Sequence, residues 1–220
     1  MQQKIFSSQF DDIYFNPADG IGESRYVFLD GIGVPEVWAG HEHFHISELG
    51  FGTGLNFLLT LDAWQKIAAP DAHLTYTGID LYPLEKLELE KIYPAWPELQ
   101  ISAQQLLNVY PGTEAGMHIC YPAPHITLML LWGEVLDMLR AMRRRQDAWY
   151  LDGFAPRKNP NMWRDELYPE LARLSAPDAR VTTFTAAGIV KRGLENNNFT
   201  VTKTKGFAHK REHIIAHYNG

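Results

Sequence analysis

The sequence predicts an α/β fold: a mostly parallel sheet with an antiparallel strand near the C-terminus and a small N-terminal extension. Short apolar runs alternate with amphipathic segments along most of the 220 residues. A glycine-rich stretch, E-L-G-F-G-T-G at 48–54, joins one apolar run to the next amphipathic segment, and acidic residues close later runs. Strands that alternate with helices form parallel sheets covered on both faces.

The N-terminal half contains three predicted strands and two predicted helices. The segment R-Y-V-F-L-D-G at 25–31 alternates well enough to predict a strand that ends in a turn. Further strands are predicted over 43–49 and 74–81, and helices over 55–69, which Pro70 ends, and 84–93. Residues 94–125 mix prolines with polar and apolar residues, so no element is assigned there.

The C-terminal half continues the alternation and ends in a hairpin. Predicted strands cover 126–134, 148–156 and 180–186, and predicted helices cover 135–145, 163–174 and 187–197. The last segment, F-T-V-T-K-T-K-G-F-A-H-K-R-E-H-I-I-A-H-Y, predicts two strands joined around Gly206. Such a pair adds an antiparallel strand at one side of the sheet.

Length and composition indicate one domain with a sizeable core, since 45% of the residues are hydrophobic and 12% aromatic. We predict an N-terminal segment over residues 1–40 that packs on a main domain over 41–220. No apolar run reaches the roughly 18 residues of a membrane span, and the N-terminus lacks the apolar region of a signal peptide. The single cysteine, Cys120, excludes an intrachain disulfide framework. These features predict a cytoplasmic protein.

The charge is distributed unevenly along the chain. Residues 1–139 contain 5 Lys/Arg and 18 Asp/Glu, whereas residues 140–220 contain 15 Lys/Arg and 8 Asp/Glu. The net charge of −6 therefore does not exclude a polyanionic partner, because the positive charge is concentrated in one part of the chain. Alternatively, the two parts interleave in the fold and their charges cancel.

The histidines alternate without completing a metal site. His41, His43 and His45 share one face of a predicted strand, and His213 and His217 lie in the last strand. No cysteine or carboxylate completes a ligand set with them, so we predict no metal.

The glycine stretch fits one ligand class better than its rivals. The dinucleotide fingerprint requires a glycine at position 55, which is leucine, and no G-K-[ST] follows for a phosphate loop. The pattern that remains is acidic-x-G-x-G-x-G, which is typical of S-adenosylmethionine-dependent methyltransferases. Two strand-ending acids support it: Asp80 is placed to accept ribose hydroxyls and Glu134 an adenine amino group, although such acids are often helix caps. The predicted cofactor-binding residues are Glu48, Gly50, Gly52, Gly54, Asn56, Asp80 and Glu134.

Four segments, the glycine stretch among them, show a resemblance to a known family. The segments E-L-G-F-G-T-G-L-N-F, Y-L-D-G-F-A-P-R-K-N-P-N-M-W, T-F-T-A-A-G-I-V-K-R-G-L-E and K-G-F-A-H-K-R-E resemble the methyltransferase domain of the MnmC family of tRNA 5-methylaminomethyl-2-thiouridine biosynthesis proteins. The likeness begins near residue 7 with S-S-Q-F-D-D-I-Y-F-N-P-A-D-G-I-G and extends to about 217. It implies a Rossmann-like fold and S-adenosyl-L-methionine as cofactor. It also implies methylation of the aminomethyl group on the wobble uridine in the anticodon of tRNA.

Three departures from the family pattern are visible. The sequence stops at Gly220, so the resemblance implies a stand-alone form without the FAD-dependent oxidoreductase domain of bifunctional members. Glu134 stands where the family usually has Asp, which keeps the acceptor on a longer side chain. Ala208 and His209 replace a common Gly-Arg pair, so no role is assigned to His209.

The acceptor implied by the resemblance is a primary amine, which is mostly protonated at neutral pH and needs a base. Asp152, after the fourth core strand, is the predicted catalytic residue; its alternative role is to cap the following loop. The predicted substrate-binding residues are those of the adjoining loop and of the basic C-terminal part: Gly153, Phe154, Pro156, Lys158, Lys191, Arg192, Lys205, Lys210 and Arg211. Two alternatives stay open here, a small-molecule N-methyltransferase and a non-catalytic RNA-binding module.

Overall fold

The computed structural model describes residues 19–208 and 210–220, together with the backbone of two short paired strands near the N-terminus. These strands, β1 (Phe6–Ser7) and β2 (Asp12–Ile13), pair antiparallel. Most of the N-terminal motif at 7–18 and the residue His209 therefore lie outside the described residues.

In the described part of the chain, eight strands form one sheet in the order β5-β6-β4-β3-β7-β8-β10-β9. The central strands β6, β4, β3, β7 and β8 are mutually parallel, whereas β5, β10 and β9 pair antiparallel at the two sides. The strands are β3 (His43–Leu49), β4 (His73–Asp80), β5 (Gly116–Ala123), β6 (Ile126–Trp132), β7 (Gln146–Leu151), β8 (Ser175–Thr183), β9 (Phe199–Lys205) and β10 (Glu212–Tyr218). The predicted α/β class and the antiparallel C-terminal hairpin are confirmed.

Helices cover both faces of the sheet. They are α1 (Gly20–Ser24), α2 (Asp30–Ile32), α3 (Leu55–Ile67), α4 (Lys86–Ile92), α5 (Gln100–Val109), α6 (Val135–Ala141), α7 (Leu167–Leu174) and α8 (Gly188–Glu195). Alternate residues of each strand point to opposite faces. On β7, for example, Ala148 and Tyr150 enter one buried cluster with α3 and α5, whereas Trp149 and Leu151 enter another with α6 and α7.

The strand predicted over 25–31 is wrong. A π-helical turn, Arg25–Leu29, joins α1 to α2, so the segment is helical throughout. Three successive apolar residues, Val27–Leu29, are buried, whereas a strand with one face in solvent would expose every second residue. Tertiary contacts fix this conformation: Thr182 Oγ1 donates a hydrogen bond of 2.5 Å to the Val27 carbonyl. Packing against the sheet therefore overrides the local β preference of these residues.

Residues 94–125, left unassigned from the sequence, contain two 3₁₀ turns, α5 and the edge strand β5. Three apolar residues of β5, Met117, Ile119 and Tyr121, point outward and are more than 45% exposed. Because this strand carries apolar residues on its exposed face, the usual inside–outside alternation is missing from its sequence.

The parallel strands bring distant residues together. Gly50 follows β3, Asp80 closes β4, Gly133 follows β6 and Asp152 follows β7. The carboxyl ends of parallel strands meet at one edge of a sheet, where open α/β folds bind ligands. Among the helices of the described residues, none is long and apolar enough to cross a membrane.

Candidate cofactor and catalytic site

A cavity of about 850 Å³ opens at the carboxyl ends of β3, β4, β6 and β7. The glycine turn and Asp80 line one part of it, and Asp152, Gly153 and Phe154 line another. Glu23 and Phe28, from the N-terminal helical segment, complete the wall.

The glycine turn requires glycine for both conformation and space. Gly50, Gly52 and Gly54 have φ of 91°, 50° and 72°, in the left-handed region that favours glycine. A Cβ on Gly50 would lie 2.6 Å from the Asp152 carbonyl oxygen, closer than side chains approach backbone. Gly50 therefore lets β3 and the start of the Asp152 loop meet, and leaves backbone exposed to the cavity.

Asp80 ties the glycine turn to the end of β4. Its Oδ2 accepts a hydrogen bond from Gly52 N at 2.8 Å, and its Oδ1 accepts one from Tyr82 N at 2.9 Å. Burial raises the pKa of the Asp80 carboxyl, and the hydrogen bond from Gly52 opposes this shift. The carboxylate lines the cavity and retains further acceptor capacity, since each oxygen has two lone pairs.

Glu134 caps a helix and also forms an ion pair. Its Oε2 accepts hydrogen bonds from Leu136 N at 2.8 Å and Asp137 N at 3.3 Å, at the start of α6. Its Oε1 accepts one from Arg164 Nη2 at 2.6 Å. Both Glu134 and Arg164 line the cavity. The helix cap considered from the sequence is present, and the ion pair joins two residues of the cavity lining.

Asn56, in the first turn of α3, bridges two carboxyl groups. Its Nδ2 donates to Glu48 Oε1 at 2.7 Å and to Asp152 Oδ2 at 2.6 Å. Glu48 is 1% exposed, and its other oxygen accepts a hydrogen bond of 2.8 Å from the Tyr76 hydroxyl. Asp152 and Asn56 line the cavity, whereas Glu48 lies beneath them and is not among the lining residues. Asn56 Oδ1 is buried without a hydrogen-bond partner among the described residues.

The surroundings favour a protonated Asp152 in the free protein. Burial raises the pKa of its carboxyl to about 8; the charge of Glu23 acts in the same direction, and the Asn56 hydrogen bond and Lys210 oppose it. Burial also raises the pKa of Glu48 well above its ordinary value, with a further contribution from the charge of Asp152. A positive charge in the cavity therefore favours the ionised form of Asp152, which is the form that can accept a proton.

The predicted substrate-binding residues fall into two sets. Gly153, Phe154, Lys158 and Lys210 line the cavity. The remaining five, Pro156, Lys191, Arg192, Lys205 and Arg211, are not among the residues that line it. Two of the predicted cations have acidic partners: Lys191 Nζ lies 2.5 Å from Glu195 Oε1, and Lys210 Nζ pairs with Glu23 Oε1.

Sequence reasoning missed several residues that line the cavity, among them Glu23, Phe28, Arg164 and Phe184. Phe28 lies in the segment predicted as a strand and Glu23 lies beside it, so no local sequence pattern indicates that either residue lines the cavity. Phe184 follows β8 and Arg164 precedes α7, which places both near the carboxyl edge once the strand order is known.

Comparisons with known proteins identify the family of this chain. A family model described as S-adenosyl-L-methionine-dependent methyltransferase matches residues 97–219. The chain is 43% identical over 208 residues to the tRNA 5-methylaminomethyl-2-thiouridine biosynthesis bifunctional protein MnmC of Magnetococcus marinus, covering 94% of the chain and 31% of that protein. It is also 43% identical to the MnmC protein of Caulobacter vibrioides, covering 96% of the chain and 36% of that protein. The chain thus spans about a third of the length of these curated relatives.

Solved structures show the same fold. The crystal structure of MNMC2 from Aquifex aeolicus superposes with a TM-score of 0.82 at 20% identity, over 96% of this chain and 65% of that one. A putative class I S-adenosylmethionine-dependent methyltransferase from Listeria monocytogenes gives a TM-score of 0.52 at 12% identity, over 98% of this chain and 63% of that one. Because the family model matches more than half of its length, the chain belongs to the S-adenosyl-L-methionine-dependent methyltransferase family.

Proposed function

We propose that this chain methylates tRNA at the anticodon wobble position. It transfers the methyl group of S-adenosyl-L-methionine to the aminomethyl nitrogen of 5-aminomethyl-(2-thio)uridine and gives 5-methylaminomethyl-(2-thio)uridine. The names of its relatives, at 43% identity over nearly the whole chain, support this substrate. The observation that carries the proposal is Asp152, a carboxyl group that shares one cavity with the glycine turn. The cytoplasm, where tRNA is modified, is the corresponding location.

The cavity fits the cofactor of the family. Gly50 and Gly52 line the cavity, Asp80 offers carboxylate oxygens, and Asn56 Oδ1 is a buried acceptor without a hydrogen-bond partner among the described residues. These residues, with Glu134 at the end of β6, would hold S-adenosyl-L-methionine. When bound, this cofactor supplies an electrophilic methyl group on a positively charged sulfur.

Asp152 is assigned the role of base. An aminomethyl group resembles the end of a lysine side chain, with an ordinary pKa of about 10.4, so it arrives mostly as an ammonium. Asp152 Oδ2 accepts the hydrogen bond from Asn56, which leaves Oδ1 to orient the amine and take its proton. The neutral nitrogen then has a lone pair for the methyl group. Holding the nitrogen in line supplies on the order of 7–11 kcal/mol of the barrier reduction.

Glu48 and Asn56 fix the base. Because one amide nitrogen donates to both carboxyl groups, the position of Asp152 depends on Asn56, and that of Asn56 depends on the buried Glu48. Tyr76 satisfies the second oxygen of Glu48, so the chain of hydrogen bonds ends in the core. A group held in this way needs little reorganisation during reaction.

The basic C-terminal part is assigned the role of binding tRNA phosphates. The basic residues belong to α8, which follows β8 in the chain, and to the β9–β10 hairpin, which pairs with β8 at one edge of the sheet. They are Lys191, Arg192, Lys205, Lys210 and Arg211. Lys203 pairs with Glu212 at 2.9 Å across the hairpin, and Lys191 pairs with Glu195, so these two are partly neutralised. Lys205 and Arg211 are exposed. Phosphate contacts from such side chains give affinity that is independent of sequence and falls with salt.

Purified protein tests the proposal directly. We expect it to transfer a labelled methyl group from S-adenosyl-L-methionine to tRNA that carries 5-aminomethyluridine, with 5-methylaminomethyluridine identified by nucleoside mass spectrometry. Transfer that survives ribonuclease treatment would instead indicate a small-molecule acceptor. Binding of tRNA without cofactor binding and without transfer would indicate a non-catalytic RNA-binding module.

Asp80→Ala is expected to weaken the cofactor complex much more than turnover. The substitution removes a charged acceptor and frees the glycine turn, because Gly52 N loses its partner. Charged hydrogen bonds contribute about 1.5–3 kcal/mol, so the dissociation constant for the cofactor should rise about 10- to 100-fold. Calorimetry measures this, and Asp62→Ala, on the outer side of α3, is the control. A larger loss in kcat than in cofactor affinity would contradict the assignment.

Cofactor affinity is also expected to rise with pH. In the free protein the pKa of Asp152 is about 8, and a sulfonium charge nearby favours its ionised form. Binding therefore releases a proton, and S-adenosyl-L-methionine should bind about tenfold more tightly at pH 8.5 than at pH 6.5. S-adenosylhomocysteine, which is neutral at sulfur, is the matched control and should show a smaller dependence. Equal slopes for the two ligands would contradict the placement of Asp152.

A further inference from the structure

Near Asp152, the cavity wall holds a lysine ammonium between a carboxylate and an aromatic ring. The side chain of Glu23 in α1 is 11% exposed, and its Oε1 forms an ion pair with Lys210 Nζ. The same Nζ lies 6.0 Å from the centroid of the Phe184 ring, within the range of a cation–π contact. All three residues line the cavity. This arrangement is a binding site for a primary ammonium.

This site belongs to the same cavity as the proposed base. The charges of Glu23 and Lys210 both act on the Asp152 carboxyl, with opposite signs. Glu23, Lys210 and Asp152 all line this cavity, so an ammonium that lies beside Glu23 shares the cavity with Asp152. Lys210 belongs to the β9–β10 loop and is one of the residues that line the cavity.

We propose that Glu23 determines acceptor specificity: its carboxylate binds the ammonium of the side arm to be methylated, in the place that Lys210 Nζ fills in the free protein. This inference rests on the proposed function. A lysine side chain and an aminomethyl arm both end in a CH₂–NH₃⁺ group, so the exchange replaces like with like. Glu23 keeps a counter-ion throughout, whereas a buried carboxylate that simply lost Lys210 would be left unpaired.

The Lys210 side chain can move into solvent when another ammonium takes its place. Its side chain is 54% exposed, while the loop that carries it is fixed by backbone hydrogen bonds from Gly206 N to the Arg211 carbonyl at 3.1 Å and from Lys210 N to the Phe207 carbonyl at 2.9 Å. The Tyr26 hydroxyl, on the N-terminal helical segment, also donates to the Lys205 carbonyl at 2.9 Å. The side chain can therefore rotate outward without the loop moving, and a nearby RNA phosphate would stabilise it there.

The exchange selects for charge. An arm that ends in a hydroxyl cannot replace the ammonium as a counter-ion, and an arm that ends in a carboxylate meets the like charge of Glu23. Only an amine-bearing arm both displaces Lys210 and presents a nitrogen to the base.

Binding of free nucleosides to the protein loaded with S-adenosylhomocysteine tests this inference without methyl transfer. We expect Lys210→Ala to bind 5-aminomethyluridine about five- to tenfold more tightly than the unmodified protein, because a competing occupant is removed. Its affinity for 5-hydroxymethyluridine should not change, and its affinity for tRNA should fall. Glu23→Gln should lose the preference for the amine over the alcohol.

Arg211→Ala is the matched control, since Arg211 lies in the same loop, is exposed and is not among the lining residues. It should weaken tRNA binding without strengthening nucleoside binding. If Lys210→Ala behaves like Arg211→Ala, or if no variant binds 5-aminomethyluridine, the inference is overturned. Glu23→Asp, which keeps the charge, guards against misfolding and should retain a reduced preference. Amine preference without tRNA methylation would refute the proposed function alone, and methylation without the preference would refute this inference alone.

Discussion

Asp152→Asn is expected to lower kcat about 10²- to 10⁴-fold, the usual contribution of a positioned base. The amide has the same shape as the carboxyl group, and its oxygen still accepts the hydrogen bond that Asn56 Nδ2 donates at 2.6 Å. It cannot accept a proton from the acceptor amine. Single-turnover kinetics on tRNA that carries 5-aminomethyluridine measure the change. The dissociation constant for S-adenosylhomocysteine, by calorimetry, should change by less than about threefold, because no uniform binding interaction is removed.

Stability provides the control for this variant. The pKa of Asp152 in the folded protein, about 8, lies above its ordinary value of 3.8, so the folded state binds this proton more tightly than the unfolded state. The contribution of this group to stability is therefore fully present below about pH 4 and is lost as pH rises towards 8. Asp152→Asn removes that loss, and its melting temperature at pH 8 should equal or exceed that of the unmodified protein. A low kcat in a variant that melts early would reflect misfolding, and an unchanged kcat would exclude Asp152 as the base.

Gly50→Ala is expected to abolish tight cofactor binding and to destabilise the fold by about 3 kcal/mol or more. Two costs add: the strained φ of 91°, about 1–3 kcal/mol, and the insertion of a methyl group into close-packed structure, also about 1–3 kcal/mol. The new Cβ would meet backbone, 2.6 Å from the Asp152 carbonyl oxygen and 3.0 Å from its carbon. Because backbone moves less easily than a side chain, the Asp152 loop must shift.

Gly33→Ala separates these two costs. Gly33 has the same φ of 91° at the end of α2, but a Cβ there meets no atom of the described residues within 4 Å. We expect this control to lose only the strain contribution, about 1–3 kcal/mol, and to bind the cofactor normally. Urea unfolding and calorimetry compare the two variants. Equal losses of stability, with cofactor affinity retained in Gly50→Ala, would show that the turn and Asp152 are not in close contact.

The parts of the fold that the sequence predicts are those whose signals are local. The strand, glycine turn and helix over β3 and α3 agree with the structure within two residues, since the glycines and the helical spacing are contiguous. The segment 25–31 reads as a strand from its sequence but is helical, because its conformation depends on contacts with β8 and α3, which are distant in sequence. The edge strand β5 was missed because its outward face is apolar.

The site shows the same division. Gly50 is predicted from the glycine spacing, and Asp80 and Asp152 from their positions at strand ends. The strand order brings all three into one cavity, and their roles stay predictions. Glu48 precedes the turn in the sequence, but strand alternation buries it beneath Asn56, so its predicted contact with the cofactor stays a prediction. Glu23 was unpredictable, because its place in the cavity depends on the misassigned helical segment and on Lys210. The boundary at residue 40 and the absence of a metal also stay predictions.

We expect the methyl group to be transferred in the cavity between the glycine turn and Asp152. A crystal structure of the protein with S-adenosylhomocysteine measures this most directly, since the position of the sulfur marks where the methyl group leaves. We expect the ligand to lie over the Gly50–Gly54 turn, with its ribose hydroxyls on Asp80 and its sulfur facing Asp152. A ligand bound elsewhere, or a sulfur that faces away from Asp152, would contradict it.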